Sequence, residues 1–329
     1  MQRQITFGGG VSPRGTLLRG QSIIEYVLII AVIGLVIVFA GPGVAGAIRN
    51  QFNLVGNTVN SGTTGGIEGG GASGGDHTGA DSATVQAAVA KDAKDWTLDE
   101  QKAVAEDIAK NGTASPAYAK AKAAMDSGTT WWVAIPGCRK MTYQIIGINH
   151  DDLADGSGKA GLTFFGTLPE RDVMNEKKTT FGGWEKSKLR QKMNSGEDWN
   201  LLPSEFQSKV ESVKKLTNNV GGGGDNKDAA VTATSDRLFL LSYSEIVGTP
   251  RSAWSKWSWI GHEGTQYEYF RGKVTENNGA NSIIAFDYIW WERTCNPYSS
   301  DYFLVVNGHG YPADDYLGTS SWVNCGFCF

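Results

Sequence analysis

The residues of this chain that could do chemistry are four cysteines, four histidines and a short aspartate-rich turn. Cys325 and Cys328 have the Cys-x-x-Cys spacing of zinc sites and redox pairs. Because there is only one such pair, a disulfide or simple burial is the better interpretation. Cys138 and Cys295 make the cysteine count even, which permits disulfides in an exported protein. Their connectivity, and the alternative of buried free thiols, both stay open.

The other candidate residues form no recognised catalytic or metal-binding pattern. The turn at 151–156 resembles a calcium loop, but the required spacing fails at Leu153. The glycines at 221–224 lack the Lys-Ser/Thr of a phosphate loop, and no Ser/His/Asp arrangement is visible. The histidines, which lack ligand spacing, are His77, His150, His262 and His309. We therefore predict no enzyme, no metal site and no cofactor.

Length and charge limit the class of protein further. The chain has 329 residues and a formal net charge of −4. This length suits a membrane anchor plus one core of moderate size. The absence of a basic excess argues against nucleic acid as a partner. Eleven tryptophans indicate either a large aromatic core or a binding surface.

An uncharged segment from Tyr26 to Ile48 is about the length that crosses a bilayer as a helix. Three arginines precede it, which places the leader in the cytoplasm and the remainder outside. The small residue Gly20 comes before the apolar segment, not after it, and Glu25 lies at its edge. Both features argue against an ordinary secretory signal.

Gly20, Glu25, Tyr26 and the apolar helix after them resemble the Flp, or Tad, class of type IVb prepilins, over residues 15–60. The resemblance implies that a prepilin peptidase cuts after Gly20. It also implies that the new amine of Gln21 pairs with Glu25 of a neighbouring pilin subunit. The protein would then reside in the inner (cytoplasmic) membrane as a prepilin, and afterwards in an extracellular pilus or at the cell surface. A plain signal anchor is the alternative.

The remaining chain divides by composition. The tract at 61–80 is Gly-rich and predicts a flexible linker. An Ala-rich segment with a capping box at Thr97–Glu100 predicts short helices that act as a spacer. The predicted parts are the leader 1–20, the pilin transmembrane helix 21–60, the linker 61–80, the helical spacer 81–129 and a globular domain 130–329.

The globular domain is predicted to be α+β. Aromatic and β-branched residues at 131–135 and 143–148 predict strands. Residues 184–216 predict two helices. The second shows helical spacing of Phe206, Val210, Val213 and Leu216. The apolar segment 238–243 predicts a buried strand.

Four motifs in this domain resemble a bacterial family of unknown function with a C-type-lectin-like fold, which is related to that of formylglycine-generating enzymes. The motifs are Gly183-Trp184-Glu185, the segment 239–245, the segment 264–269, and Trp290-Trp291-Glu-Arg293. The resemblance spans residues 130–329. It implies a domain built to bind a ligand.

The segment from Trp291 to Cys328 further resembles the variable region of proteins diversified by retroelements, which convert AAC codons to NNC codons. NNC codons cannot encode Trp, Glu, Lys, Gln or Met, and none of these residues occurs in the tract 296–321. The tract is rich in Tyr, Ser, Asp, Gly and Asn, like antibody paratopes. A tolerant polar surface loop is the alternative.

The resemblance implies that some C-terminal residues form a fixed scaffold and that others bind the ligand. The predicted fixed scaffold is Trp290, Trp291, Arg293, Phe303 and Phe327. The predicted ligand-binding residues are Tyr298, Asp301, Tyr302, His309, Tyr311, Asp314, Asp315 and Tyr316. Loops on a rigid frame can vary in this way without unfolding the core.

The leading hypothesis is a surface-displayed, pilin-like adhesin that binds a variable protein or cell-surface ligand. One alternative is an enzyme of the formylglycine-generating fold that uses C-terminal cysteines. Another is a purely structural minor pilin. Position at the tip, along the shaft or in the membrane stays open.

Overall fold

The computed structural model describes residues 82–137, 139–223, 226–276 and 281–329, which belong to one compact unit. The α+β class is confirmed. The predicted leader, membrane helix and linker lie outside the described residues, and so do Gly20, Gln21, Glu25 and Tyr26. Within the described ranges, no helix has both the length and the apolar character that crossing a bilayer requires.

Helices and strands are labelled in chain order. The helices are α1 (Ser82–Ala90), α2 (Leu98–Asn111), α3 (Tyr118–Ser127), α4 (Lys188–Ser195), α5 (Glu197–Asn200), α6 (Ser204–Gln207) and α7 (Tyr243–Val247). The strands are β1 (Thr130–Ile135), β2 (Arg139–Ile148), β3 (Leu162–Asp172), β4 (Val213–Asn218), β5 (Val231–Asp236), β6 (Trp290–Cys295), β7 (Tyr302–Val306), β8 (Pro312–Tyr316) and β9 (Ser321–Cys328).

The N-terminal helices pack against the sheet. The predicted capping box starts α2, because Thr97 Oγ1 accepts a hydrogen bond from Glu100 N while Glu100 Oε2 accepts one from Thr97 N. A Cβ at Gly161 would lie 1.8 Å from the carbonyl oxygen of Ala105, so only glycine allows this helix to approach β3 so closely. The segment predicted as a spacer therefore shares the core of the globular unit.

The main sheet has seven strands in the order β1-β2-β3-β9-β6-β7-β8. β1 and β2 confirm the predicted strands at 131–135 and 143–148. The segment 238–243 is buried as predicted, but it is not a regular strand. It lies between β9 and β6, where Phe239 and Gly326 exchange backbone hydrogen bonds and Arg293 N donates to the carbonyl of Leu241.

The second helix predicted within 184–216 is wrong. Only the single turn α6 is helical there, and Val213 and Leu216 lie in strand β4, which pairs with β5. Burial in β4 alternates with a period of two residues, from Val213 to Lys215 to Thr217, while Lys214 and Leu216 are exposed. A hydrophobicity pattern does not show this alternation, because one of the buried positions is a lysine.

Cys295, Cys325 and Cys328 are buried free thiols, and Cys138 lies outside the described residues. Cys325 and Cys328 are three positions apart in β9, so their side chains project to opposite faces of the strand. Simple burial is thus the correct interpretation of this Cys-x-x-Cys pair, and a shared zinc or redox centre is not formed by it.

Candidate binding surface

A buried ionic network centred on Arg293 fixes strand β6, from which the predicted variable tract departs. The guanidinium of Arg293 donates to both carboxylate oxygens of Glu245, with an Nη2–Oε1 distance of 2.8 Å. It also donates to the carbonyls of Leu240 and Glu263, each at 2.7 Å. Arg293 is fully buried. Such burial is tolerated because every part of the guanidinium finds an acceptor.

Lys215 extends the network toward the first half of the domain. Its ammonium group is paired with Glu245 and lies 2.7 Å from Asp151 Oδ1. It also donates to the hydroxyl of Tyr267 at 3.0 Å. Thr163 donates to the other oxygen of Asp151 at 2.6 Å. The network therefore connects β4, β3 and β6 within the buried core.

Three of the four recognised motifs meet in this network. Glu245 ends the motif 239–245, Tyr267 lies in 264–269, and Arg293 ends 290–293. Gly264 has a φ of +144°, and a Cβ there would lie 2.7 Å from Cγ of Glu245. These motif residues are buried, so they determine the fold and do not themselves reach a ligand.

The network holds two carboxyl groups in their charged form. Burial alone would raise the pKa of Glu245, but Arg293 and then Lys215 lower it below its usual value. Burial opposes ionisation of Asp151 in the same way, and Lys215 lowers the pKa of that carboxyl well below its ordinary range.

Two neighbouring carboxyl groups behave in the opposite way. Neither side-chain oxygen of Glu292 has a hydrogen-bond partner among the described residues. Burial, and next the charge of Glu263, raises the pKa of Glu292 well above its usual value. Burial also raises the pKa of Glu263 to about 7, although hydrogen bonds from Thr294 and Asn218 lower it. Burial thus opposes ionisation of both groups inside the core.

The hairpin β7–β8 carries most of the predicted ligand-binding residues along one edge of the sheet. Tyr302 pairs with Tyr316 in register, and their ring centroids are 5.9 Å apart. Phe303, the next residue in β7, is fully buried. The hairpin thus presents partly exposed side chains while its apolar residues anchor it in the core.

The turn before β7 exposes Tyr298. The side chain of Asn296 accepts a hydrogen bond from Tyr298 N at 2.7 Å and so shapes the turn. Tyr298 is 57% exposed, and its ring packs edge-on against Trp257 at 4.7 Å. Its hydroxyl donates to the carbonyl of Ala253 at 3.0 Å. These contacts therefore hold this exposed tyrosine in one orientation.

The loop between β7 and β8 exposes His309 and Tyr311. The side-chain oxygen of Asn307 accepts hydrogen bonds from both of their backbone N–H groups, each at 3.0 Å. Gly310 has a φ of +80°, and a Cβ there would lie 2.2 Å from the carbonyl oxygen of Asn281. Asn307 and Gly310 therefore set the loop conformation, while their neighbours face solvent.

The structure places all eight predicted ligand-binding residues at least partly in solvent. Tyr298, His309, Tyr311 and Asp314 are exposed, and the other four are intermediate. The five predicted scaffold residues are all fully buried. The eight do not converge on one point, because Tyr302 and His309 lie at opposite ends of β7. At about 3.4 Å per residue the face is more than about 14 Å long, which suits an extended surface better than a pocket.

Residues 251–257 pack beside the tract, and the sequence did not predict this contact. Arg251 donates to the carbonyl of Pro312 at 2.9 Å and lies 5.1 Å from the ring of Trp254. Trp257 supports Tyr298 from below. The only available signal was the density of tryptophan between 254 and 259, which indicates either a core or a surface.

The tract carries charge of one sign only. Its charged residues are Asp301, Asp314 and Asp315, and it contains no lysine or arginine. Such a face favours cationic or hydrogen-bonding partners over anionic ones. Across the described ranges, no group of three or more histidine, cysteine or carboxylate side chains is arranged to hold a metal ion.

Comparison with known proteins gives one match. Residues 165–323 match a family model described as a domain of unknown function, DUF6273. This segment runs from β3 into β9, and it includes Arg293 and the whole tract 296–321. No curated protein and no solved structure gives a match. The chain is therefore similar, over this segment, to a domain whose function is not established.

Proposed function

We propose that the protein is a surface-displayed, pilin-like adhesin whose C-type-lectin-like domain binds its ligand through the tract 296–321. The ligand is a protein or another cell-surface molecule, and the tract is diversified by a retroelement. The anchor is the prepilin-like N-terminus, which is cut after Gly20 and assembles with other pilin subunits. The lectin-like assignment is supported by the convergence of three recognised motifs on one buried network.

The observation that carries the proposal is the difference in exposure between the two residue sets. Residues proposed to vary are exposed or partly exposed, and residues proposed to be constant are buried. A substitution at an exposed position usually changes stability by less than about 0.5 kcal/mol. The domain can therefore accept many different surfaces on one core, as diversification requires.

The state of the thiols supports binding over oxidation chemistry. Burial raises the pKa of Cys325 to about 12, and it raises the pKa of Cys328 well above its usual value. Reactive cysteines are partly exposed thiolates with a lowered pKa. These two thiols lack both properties, which favours the adhesin over an enzyme of the formylglycine-generating fold.

The first test is deep sequencing of the locus in a clonal population, together with its genomic surroundings. We expect substitutions to be concentrated in adenine-derived codons of 296–321, beside a near-identical template repeat and a reverse transcriptase gene. A tract as constant as its flanks, with no repeat nearby, would remove diversification and leave a domain of fixed specificity.

The second test concerns binding itself. Full-length proteins that carry two natural versions of the tract should have equal melting temperatures but adhere to different cells or proteins. Adhesion that is identical for both versions would place the binding surface elsewhere. Failure of the Glu25→Ala variant to reach the cell surface would test the prepilin part separately.

A further inference from the structure

An open cleft of about 470 Å³ lies beside the tract but contains none of its residues. Its lining includes the lysines Lys177, Lys186 and Lys188, the ring of Phe181, and the amide side chains of Asn175 and Gln191. We propose that this cleft is a second binding site, which takes an acidic carbohydrate that bears uronate or sulfate groups.

The backbone on both sides of the exposed Phe181 is closely held. The preceding residue, Thr180, is buried and bonds to the carbonyl of Ser300 through both its N–H (2.7 Å) and its hydroxyl (3.0 Å). The following Gly182 has a φ of +89°, and a Cβ there would lie 2.6 Å from Cδ of Lys186. Phe181 nevertheless is 70% exposed. This turn therefore presents a large apolar ring to solvent in the lining of the lysine-rich cleft.

The charge of the cleft points to an anionic ligand. Three lysines face one glutamate, Glu176, in its lining. Among the described residues, none of these three lysines forms a salt bridge, whereas the nearby Arg190 and Lys192 are paired with carboxylates. Lysine supplies a compact point charge that suits carboxylate or sulfate groups. The lysines therefore remain available to a ligand from solution.

The mixture of groups favours a carbohydrate over other anions. A ring such as Phe181 can stack on the apolar face of a sugar, and the amides of Asn175 and Gln191 can bond its hydroxyl groups. Lys186 lies 5.3 Å from the centre of the Phe181 ring, so charge and ring can contact one ligand together. The charged residues of the neighbouring tract are all aspartates, so the cleft and the tract should prefer ligands of opposite charge.

The test is titration calorimetry of the full-length chain with a hexamer of galacturonate, against a neutral hexasaccharide. We expect binding of the acidic sugar alone, weakened by salt because exposed charges are screened. The variant Lys186→Glu/Lys188→Glu should lose at least about tenfold in affinity, and Phe181→Ala about threefold. Lys178→Glu reverses one lysine charge outside the lining and should cost less than about twofold.

Three outcomes would overturn the inference. These are equal binding of acidic and neutral sugars, a loss for Lys178→Glu as large as for the double variant, and binding of anionic lipid vesicles without binding of the sugar. Unchanged melting temperatures would show that the variants are folded. A chain with another version of the tract should bind the sugar equally, so this result is independent of the proposed adhesin function.

Discussion

Strand β6, which carries Arg293, directly precedes the β7–β8 hairpin, but the Arg293 network and the hairpin differ in almost every physical respect. In the network, charged groups are fully buried and each cation meets several acceptors. In the hairpin, charged groups face solvent, and the aspartates form no salt bridge within the described ranges. Substitutions in the network should therefore strongly destabilise the fold. The hairpin can change with little effect on folding.

Removal of the central cation should have the largest effect. Arg293→Ala removes the donor to two core carbonyls and leaves Glu245 with Lys215 as its remaining cationic partner. We expect a loss of about 3–5 kcal/mol in the free energy of unfolding, because a buried ion pair is broken and buried carbonyls lose their hydrogen bonds. Urea unfolding measures this loss. Arg271→Ala, at an exposed arginine, is the control, and equal losses in both variants would contradict the role of the network.

A pair of neighbouring residues in β7 tests the boundary between the regions. Phe303→Ala should cost about 3–5 kcal/mol, since it empties a fully buried site. Tyr302→Ala, one residue away and partly exposed, should cost less than about 1 kcal/mol. Thermal unfolding of both variants measures the contrast. Similar costs would mean that the hairpin is not divided into anchoring and free residues.

The pH dependence of stability should reflect Glu292 and Glu263. Their folded pKa lies above the unfolded value of 4.5, so the unfolded chain releases these protons first as pH rises. Their stabilising contribution is complete below about pH 4.5 and declines as pH rises through 7, by on the order of 3 kcal/mol for Glu263. Asp198, whose pKa burial raises to about 6, adds to the decline.

The measurement is the free energy of unfolding between pH 5 and pH 8. Glu292→Gln cannot ionise and should reduce the decline, while Glu185→Gln, at an exposed carboxylate, should leave it unchanged. A stability that rises with pH over this interval would show that these carboxyl groups are ionised in the fold.

The smallest effects are expected in the exposed tract. His309→Ala, Tyr311→Ala and Asp314→Asn should each change stability by less than about 0.5 kcal/mol, because these side chains face solvent. Under the proposed function, the same changes alter adhesion. Gly310→Ala in the same loop should be clearly more destabilising. Position 310 has a positive φ, and a Cβ there would collide with the backbone of Asn281. A loss for Tyr311→Ala equal to that for Gly310→Ala would place Tyr311 in the scaffold.

Sequence patterns predicted the parts of the fold that depend on local chemistry. The capping box at Thr97 and the strands β1 and β2 follow from nearby residues and are confirmed. The burial of Trp290, Trp291 and Arg293 followed from a motif and not from hydrophobicity, since arginine is seldom buried.

Features that depend on distant partners could not be predicted. Lys215 is buried because Asp151 and Glu245 meet it from distant positions in the chain, and no local pattern contains that information. The second predicted helix failed for this reason. The support of Tyr298 by Trp257, and the exposure of Phe181, likewise depend on how separate segments pack.

The position of β8 has a consequence for the fate of variants in the cell. β8 is the last strand of the seven-stranded sheet, and such a strand can recruit a strand from another molecule. Proline and charged side chains on an edge strand oppose such pairing, and β8 contains Pro312, Asp314 and Asp315. All three positions lie in the tract proposed to vary. Variants with Val, Ile or Phe there would aggregate, so the usable repertoire is limited by solubility before it is limited by affinity.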